Sequence, residues 1–587
     1  MCGVAGYVAF SGAPDRDWMT ALGRAMTAAM AHRGPDDSGV HVSADGTVML
    51  ASVRLAVRDL SVAGHQPAES PDGRVVLAYN GELYRVRGER GTEWPRRSTG
   101  DTEEFLQVIH GAKDIRRALS DIDAMFAAAW YDAAARTLRL ARDHFGIKPL
   151  LYLRLPDGLL FASEAAALFA TGLVRPSVDP LTFMRKAFVR MDAADDQTWY
   201  RGIQALPPAS LLEVSGGTLR IDRYWHPEMR DDPIDASDLR AAFRDAVALR
   251  LPSDRTRAAF LSGGVDSSAI FVQLQDLGVE VRPYVVRYEG AGLDQNEDLP
   301  YAVQVSRSRG QQPRVCDVLT SDLDSSIDDV LRHVDRPILH GAEIAMYCSY
   351  RAIAADGATV VYSGHGADEM WGYQDGRYFP IVSPAFRPDM HSEYYLRHRL
   401  YVDERPRWHE LLDLLARAAG VTSDEITDLV WEKTLAAYRD ADTLDPSKRG
   451  RYHLMRRFLV YVNEMVDATS AAFALEDRPA FQDVTLATMA FSMPEYIKNR
   501  DGPSDFKPFL KKALRGLVPD EVLLRRKKGF PAPDDSSYAR RLRALLQSED
   551  LIFGLNAETI GLDTLGISEL IFLWSTLRWC KIRQITL

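Results

Sequence analysis

Seven consecutive residues, 262–268, combine the residue types that bind a phosphate group, and they read Ser-Gly-Gly-Val-Asp-Ser-Ser. Two adjacent glycines let the backbone approach an anion closely, and the helix start expected after them directs free N–H groups at it. Ser262, Ser267 and Ser268 add hydroxyl donors. Asp266 cannot bind phosphate directly, so it suggests a bridging Mg²⁺ ion. The run is not the GxxxxGKS/T loop, which makes kinase-type phosphoryl transfer the less favoured use. A serine-rich turn without function is the alternative.

Cys2 stands where an N-terminal nucleophile can be generated. Its small side chain permits removal of Met1, which would leave a free α-amine beside the thiol. That amine has a pKa near neutrality and can accept the thiol proton, so one residue would supply both nucleophile and base. The second position can also be arbitrary. The apolar, glycine-containing run at 3–10 favours a function, because it predicts a buried strand that holds the terminus inside the fold.

Polar clusters between apolar runs supply further candidates in the first hundred residues. Asn80-Gly81 is most economically a hairpin turn, but beside Cys2 it can also offer a side-chain amide and a backbone N–H to an oxyanion. Arg54 and Asp101 carry opposite charges that suit the carboxylate and ammonium groups of an amino acid. Each of these two residues, taken alone, also fits a surface ion pair.

The elements around the 262–268 run predict a parallel sheet with covering helices. Apolar or β-branched runs at 258–261, 283–288 and 359–362 predict strands, and helical segments alternate with them. A second polar loop, Ser-Gly-His-Gly-Ala-Asp-Glu at 363–369, follows the last of these strands. Ligands of such sheets bind at the carboxyl ends of the strands, so both loops are expected to line one site.

A helix is predicted before the first of these strands, with Ser237 as its N-cap. Leu239, Phe243 and Val247 recur on one face of that helix, which indicates that the face is buried.

Composition limits the functional class. A chain of 587 residues is too long for one core, and 46% hydrophobic with 26% charged residues is ordinary for a globular protein. The net charge of −11 and the isoelectric point near 5.7 argue against general nucleic-acid or membrane-surface binding. No apolar run has the length of a membrane span, and the N-terminus lacks a basic leader region. Four scattered cysteines without a CxxC pair indicate neither a zinc site nor a disulfide framework. We expect a cytoplasmic protein without nucleic-acid or membrane partners.

Taken together, the motifs resemble those of glutamine-dependent asparagine synthetases from residue 1 to about residue 530. In family order they are Cys-Gly-Val-Ala-Gly at 2–6, His-Arg-Gly-Pro-Asp at 32–36, Arg-Leu-x-Val-x-Asp at 54–59, Asn-Gly-Glu-Leu-Tyr at 80–84 and Arg-Asp-His-Phe-Gly-Ile-Lys-Pro at 142–149. The resemblance implies an α/β and α+β protein of two domains. The first, 1–225, would be an αββα sandwich that hydrolyses glutamine at an N-terminal nucleophile. A linker at 226–236 would precede a parallel-sheet, helix-rich ATP-pyrophosphatase domain at 237–587. A homodimer is a further expectation.

The resemblance also implies roles for individual residues. Cys2 would attack the glutamine side-chain amide, and Asn80 and Gly81 would form the oxyanion hole. The implied glutamine-binding residues are Arg54, Val57, Asn80, Gly81, Glu82 and Asp101. The implied ATP-binding residues are Leu261, Ser262, Gly263, Gly264, Asp266, Ser267, Ser268, Val286, Ser363 and Gly364. The implied Mg²⁺ ligands are Asp266 and Asp368, and the lysines implied to neutralise the α-phosphate and leaving pyrophosphate are Lys507 and Lys527.

Two departures from the family pattern concern the acceptor. His365 stands where the family has a glutamate between the activated acceptor and ammonia; it can still accept a proton, but it carries no fixed negative charge. Within the segment 335–345, Arg336, His340 and Ala342 replace acidic and small hydroxyl residues of the family. We therefore expect an acceptor carboxylate other than aspartate, as in amide-forming relatives from specialised metabolism.

The sequence thus predicts an ATP- and Mg²⁺-dependent ligase that amidates a small-molecule carboxylate through an acyl-adenylate, with ammonia released from glutamine at Cys2. One alternative is asparagine synthetase itself, with His365 tolerated. A second is a synthetase whose nucleophile is a substrate amine, which makes a ring or isopeptide bond; the retained Cys2 counts against it. A third is a non-catalytic homologue, against which the retained Asp266 and Asp368 count.

Overall fold

The N-terminal part of the chain is built on two six-stranded antiparallel sheets. The computed structural model describes all residues except 89–90, 92–93, 190–194, 230–233, 289–297, 373–405, 440–445, 494–506 and 526–535. The strand orders are β10-β8-β9-β1-β3-β2 and β12-β11-β7-β6-β5-β4. The strands are β1 Gly3–Ala9, β2 Asp37–Val42, β3 Val48–Arg54, β4 Ala68–Glu69, β5 Val75–Val86, β6 Ile122–Asp132, β7 Thr137–Arg142, β8 Leu151–Arg154, β9 Gly158–Ala162, β10 Gln204–Ala205, β11 Ser210–Ser215 and β12 Thr218–Arg223.

Helices cover the outer faces of both sheets. The helices of this part of the chain are α1 Arg16–Ala29, α2 Asp101–Gly111, α3 Ile115–Ser120, α4 Ala165–Phe169 and α5 Pro180–Val189. Helices α1 and α4 pack on the first sheet and α2 packs on the second. Between the sheets, residues of β1 and β3 form one apolar cluster with residues of β5 and β6. All 11 residues of β6 are buried, because one face meets the other sheet and the opposite face meets helices. The αββα prediction is confirmed.

The C-terminal part contains the predicted parallel sheet, in the order β15-β14-β13-β16-β17. The strands are β13 Arg257–Phe260, β14 Arg282–Tyr288, β15 Arg314–Val318, β16 Val360–Ser363 and β17 Glu476–Pro479. Every neighbouring pair runs parallel. The two polar loops follow β13 and β16, which are adjacent, so the loops meet at one edge of the sheet, as predicted.

Helices surround this sheet in the described part of the chain. They are α6 Ala236–Leu249, α7 Val265–Asp276, α8 Asp298–Arg307, α9 Thr320–Val334, α10 Ala342–Ala355, α11 Ala367–Trp371, α12 Pro406–Ala418, α13 Ser423–Arg439, α14 Pro446–His453, α15 Leu459–Ala471, α16 Val484–Ser492, α17 Pro508–Leu514, α18 Asp520–Leu524, α19 Ser536–Gln547, α20 Ala557–Ile560 and α21 Ile567–Arg583. A π-helical turn, Leu454–Phe458, joins α14 to α15. Within the described ranges, none of these helices has the length and apolar character needed to cross a bilayer.

Two local predictions are wrong. The N-cap of α6 is Asp235, whose carboxylate accepts hydrogen bonds from the N–H groups of Ser237 (2.7 Å) and Asp238 (2.9 Å); the Asp238 side chain in turn accepts one from Asp235 N (3.0 Å). A reciprocal capping box therefore outcompetes the single serine cap. The Asn80-Gly81 pair is not a hairpin turn, because it lies inside β5 and pairs with β6.

The C-terminal helix α21 packs against both parts of the chain. It lies against α9 and α19, and its Trp579 indole N–H donates to the Tyr200 hydroxyl at 3.1 Å. Antiparallel strands end at Arg223 and α6 begins at Ala236. The domain boundaries at 225 and 236 stay predictions, since residues 230–233 lie outside the described part of the chain.

Candidate functional site

Cys2 directly precedes β1. It lies near the residue that follows β3 and near the middle of β5. Its backbone N–H donates to Asn80 Oδ1 at 3.1 Å, and its Sγ lies 3.8 Å from the Leu55 carbonyl oxygen. Burial raises the pKa of the thiol, whereas the adjacent terminal ammonium acts in the opposite direction. Burial also lowers the pKa of the Met1 α-amine to about 5. The Met1 α-amine is therefore uncharged near neutral pH and able to accept a proton.

Asn80 and Gly81 present donors beside Cys2. The Asn80 side chain is fully buried, and its Nδ2 has no hydrogen-bond partner within the described part of the chain. Such a donor is available for a bound ligand. Glycine is required at 81, because a Cβ there would lie 2.3 Å from the Met125 carbonyl oxygen. The close strand pairing thus fixes the backbone next to the Asn80 amide.

The other residues implied in glutamine binding lie in a buried polar cluster around β5. Asp101 begins α2, and its Oδ2 accepts a 2.7 Å hydrogen bond from Leu83 N. Burial raises the pKa of the Asp101 carboxyl, against the effect of the Arg58 guanidinium. Glu82 accepts hydrogen bonds from Arg58 at 2.8 Å and Arg478 at 3.0 Å. Sequence reasoning did not include Arg58, although it stands inside the Arg-Leu-x-Val-x-Asp motif.

Arg54 is held by the loop that follows it. Its guanidinium donates to the carbonyl oxygens of Asp59 and Ser61, and Val57 is buried nearby in the same loop. These contacts, to two backbone carbonyl oxygens, orient the Arg54 side chain.

The phosphate-type loop has the expected strand–loop–helix geometry. Gly263 has φ +71°, and a Cβ there would lie 2.6 Å from Tyr301 Cβ, so a side chain is excluded. Ser267 Oγ accepts from Ser262 N at 3.0 Å and closes the loop. Gly264 is the N-cap of α7 and has no side chain to cover the first N–H groups. An anion can therefore approach this helix N-terminus.

A buried lysine joins the two polar loops. Lys507 Nζ lies 2.8 Å and 2.9 Å from the two carboxylate oxygens of Asp266, and 2.5 Å from Asp368 Oδ1. The Lys507 side chain is fully buried, and its backbone is left-handed at φ 54° directly before α17. Lys507 therefore brings together residues from α7, α11 and α17. Lys527 lies outside the described residues.

The two aspartates fit a Mg²⁺ ion. Mg²⁺ is commonly bound by one or two carboxylates together with substrate phosphate oxygens, so Asp266 and Asp368 are an adequate protein contribution. Across the described ranges no group of three or more His, Cys, Asp or Glu side chains forms an all-protein metal cage. The remaining residues implied in ATP binding border the same edge of the sheet: Leu261 and Ser363 are buried, Val286 is half-buried, and Gly364 approaches Asp266 so closely that a Cβ would lie 3.0 Å from Asp266 Cβ.

His365 follows β16 and lies near a buried carboxylate, Asp477. Burial raises the pKa of Asp477, and His365 acts in the opposite direction. Asp477 also accepts hydrogen bonds from Ser363 Oγ (2.6 Å) and Tyr350 OH (2.8 Å). A narrow cavity of about 10 Å³ extends between the N-terminus and this histidine. Its lining is Met1, Ile147, Lys148, His365, Asn463, Val466, Asp467, Ser470, Asp477 and Pro479.

Two family models together span most of the chain. The model described as "Asparagine synthase" matches residues 238–551, and the model described as "Glutamine amidotransferase domain" matches residues 1–225. The chain belongs to the asparagine synthase family. It is an ATP-dependent carbon–nitrogen ligase with glutamine as the amide donor.

Similar curated proteins match between 58% and 93% of this chain. "Asparagine synthetase [glutamine-hydrolyzing] 3" of Bacillus subtilis (strain 168) is 28% identical over 93% of this chain and 90% of its own length. "Asparagine synthetase B [glutamine-hydrolyzing]" of Escherichia coli (strain K12) is 30% identical over 58% of this chain and 59% of its own length. "Amidase chyE" of Penicillium rubens is 28% identical over 62% of this chain and 55% of its own length.

Proposed function

We propose that this ligase amidates a small-molecule carboxylate other than aspartate, through an acyl-adenylate, with ammonia released at Cys2. The observation that carries the acceptor assignment concerns Glu343, the one acidic residue of the segment 336–345. Glu343 is fully buried and accepts hydrogen bonds from Arg336, Leu339 N, His340 N and Tyr461 OH. Because the Glu343 carboxylate is buried and bound by these four donors, the segment 336–345 offers no negative charge to the ammonium group of aspartate.

The first half-reaction uses the N-terminal residue. With Met1 removed, the Cys2 amine takes the thiol proton, and Sγ attacks the glutamine amide carbon. Asn80 Nδ2 and Gly81 N–H donate to the developing oxyanion. The protonated amine returns a proton to the leaving nitrogen, ammonia departs, and water hydrolyses the thioester to glutamate.

The cavity between Met1 and His365 supports an internal route for ammonia. Met1 forms one end of this cavity, so its removal widens the space next to Cys2. An internal route is needed because bulk water would protonate ammonia. The buried apolar residues Leu55, Val57, Met125 and Phe126 pack in the core and are absent from the lining of this cavity.

The second half-reaction takes place between the two polar loops. The acceptor carboxylate attacks the α-phosphorus of ATP, and pyrophosphate leaves. Lys507 offsets the charge that builds on the phosphate oxygens, and the N–H groups of α7 orient them. Asp266 and Asp368 would hold Mg²⁺, which neutralises pyrophosphate charge when bound. Ammonia then attacks the acyl carbon, AMP leaves, and His365 accepts the proton that the attacking nitrogen loses.

Asparagine synthetase itself is the second candidate, and the names of the Bacillus and Escherichia relatives favour it. The similar protein of Penicillium rubens has a different name, "Amidase chyE". A cytoplasmic location and a homodimer stay predictions.

ATP–pyrophosphate exchange across a panel of carboxylates separates the candidates. We expect exchange with an acid other than aspartate and none with aspartate. Exchange with aspartate alone would overturn the acceptor assignment and identify an asparagine synthetase. The Cys2→Ala variant is the control, because it lacks the glutaminase nucleophile and should give the same exchange profile.

A further inference from the structure

A second and larger cavity, of about 120 Å³, lies between the two parts of the chain. Residues such as Glu164, Lys186 and Trp199 line it from the N-terminal part, and residues such as Arg336 and Glu464 line it from the C-terminal part. No residue of the loops 262–268 and 363–369 is in its lining. A cavity that holds a single water has a volume of roughly 10–15 Å³. This cavity is therefore large enough for a small organic molecule.

Arg336 brings an unsatisfied cationic donor to this cavity. The residue is 5% exposed. Its Nη1 donates to Glu343 Oε2 at 2.8 Å and to the Pro337 carbonyl at 3.2 Å, and its guanidinium lies 4.9 Å from the Tyr461 ring centroid. Its Nη2 is buried and has no hydrogen-bond partner among the described residues. A buried charged donor without a partner is costly, and an anionic ligand would satisfy it.

Two carboxylates bring unsatisfied acceptors to the same cavity. Asp335 has a left-handed backbone at φ 58°, and its Oδ1 accepts from Tyr200 OH (2.5 Å) and Arg583 Nε (2.8 Å). Asp335 Oδ2 is buried without a partner in the described part of the structure. Glu464, on α15, is half-buried and makes no hydrogen bond or ion pair with the residues that the structure describes. Against the effect of burial, its negative charge acts to raise the pKa of Arg336 and of Lys186, through longer-range electrostatic attraction only.

The other charged groups of the lining are already paired. Arg33 contacts Glu164 at 2.7 Å and Asp467 at 2.6 Å, and Lys186 contacts Asp195 at 3.0 Å. His333 Nδ1, Asp195 Oδ2 and Asp467 Oδ1 also lack a hydrogen-bond partner among the described residues. The two carboxylates are in ion pairs, however, and burial lowers the pKa of His333 to about 4, so its ring is uncharged near neutral pH. The charged groups with an unsatisfied atom outside these pairs are therefore the Arg336 guanidinium and the carboxylates of Asp335 and Glu464, beside the aromatic rings of Trp199, Tyr200 and Tyr461. That combination matches a molecule that carries one carboxylate, one ammonium group and a short side chain.

We propose that this cavity binds the zwitterion of a free α-amino acid, with its carboxylate on Arg336 Nη2 and its ammonium group on Glu464 and Asp335 Oδ2. The ligand is an effector and not the acceptor, because neither the nucleotide loops nor Glu343, which carries the acceptor assignment, lines this cavity. It contacts both parts of the chain, so its binding favours the packing of the glutaminase on the synthetase. The proposal does not depend on which carboxylate is amidated.

The test is isothermal titration of the full chain with glycine, alanine, serine, aspartate, asparagine, glutamate and glutamine. The key variant is Glu464→Gln, which keeps the side-chain size and removes a charge that no described residue pairs. The matched control is Glu558→Gln, at an exposed position of α20. We expect at least one amino acid to bind, with affinity about tenfold or more weaker in Glu464→Gln and unchanged in Glu558→Gln. We expect Asp335→Asn to weaken the binding of the same amino acid.

Glutamine and glutamate can also occupy the glutaminase pocket, but that binding does not involve Glu464. Only the part of the affinity that depends on Glu464 reports on this cavity. The proposal would be overturned if none of the amino acids bound with an affinity that depends on Glu464. Pyrophosphate exchange driven by the bound amino acid and lost in Glu464→Gln would identify the ligand as the acceptor and overturn the effector assignment. If pyrophosphate exchange occurs with a carboxylate other than aspartate but no amino-acid binding depends on Glu464, the cavity site alone is refuted. If amino-acid binding depends on Glu464 but no such exchange occurs, the proposed reaction alone is refuted.

Discussion

Arg478 Nη2 donates a 3.0 Å hydrogen bond to Glu82 Oε2 and thereby joins the strand that carries Asn80 to β17 of the parallel sheet. Both side chains are buried, Glu82 also accepts from Arg58, and Arg478 also donates to Glu476 at 2.8 Å. Burial raises the pKa of the Glu82 carboxyl, whereas the two guanidinium groups work against that rise. The glutamine-binding cluster and the synthetase sheet therefore share one buried charge network.

Arg478→Met should destabilise the protein strongly. It leaves Glu82 and Glu476 buried without the cation between them, and breaking a buried pair in this way costs about 3–5 kcal/mol. The control is Arg117→Met, which breaks the exposed pair with Asp121, where the loss should stay below about 1 kcal/mol. Denaturant unfolding measures both values. Equal losses in the two variants would contradict a structural role for the Glu82–Arg478 pair.

Cys2→Ala should abolish amidation driven by glutamine while amidation driven by ammonium salts continues. The nucleophile is lost, so we expect glutamate release to fall by about 1,000-fold or more. Product formation with each nitrogen donor is measured side by side. Undiminished turnover with glutamine would show that Cys2 is not the nucleophile.

Asn80→Ala should remove one oxyanion donor. The unpartnered Nδ2 is the group that would stabilise the intermediate, so kcat for glutamine hydrolysis should fall by roughly 10²–10³-fold. Steady-state glutaminase kinetics measure the effect, and ammonia-driven amidation serves as the internal control. A change confined to KM would assign Asn80 to glutamine binding alone.

Lys507→Ala should suppress pyrophosphate exchange, because it removes the cation between Asp266 and Asp368. We expect a loss of roughly 10²–10³-fold, as for other groups that stabilise developing charge. Lys512→Ala is the matched control, since Lys512 is exposed in α17. Pyrophosphate exchange in Lys512→Ala should equal that of the wild type. Chelation of divalent cations should abolish exchange in both of these proteins. Full exchange in Lys507→Ala would refute its role.

Glutaminase activity should fall in acid. Burial lowers the pKa of the Met1 α-amine, and we expect the pKa of the neighbouring Cys2 amine to lie below its ordinary value as well once Met1 is removed. The amine serves as base only when uncharged, so activity is present above its pKa and is lost as the pH falls through it. The pH profile of kcat/KM for glutamine hydrolysis should show this limb. Persistent activity well below pH 5 would exclude the amine as the base.

The sequence by itself determined the features that depend on local residue order. The glycines and hydroxyls at 262–268, the strand before them and the helix after them follow from steric freedom, alternation and helix-start signals, and the structure has all three. The same holds for the buried strand after Cys2 and for the parallel sheet. The Asp235 cap was missed because a capping box with Asp238 competes with the serine cap at the same helix start. The strand position of Asn80-Gly81 was missed because it depends on pairing with β6, which is distant in the sequence.

Tertiary structure alone decided which charges meet. Arg33 and Asp467, Glu82 and Arg478, and Asp266 and Lys507 are separated by hundreds of positions in the chain, and no periodicity or motif spacing links them. The cavity that contains Arg336 and Glu464 likewise exists only where two parts of the chain pack together. Pairing of buried charges depends on distances across the packed interior, and a sequence carries no local signal for those distances.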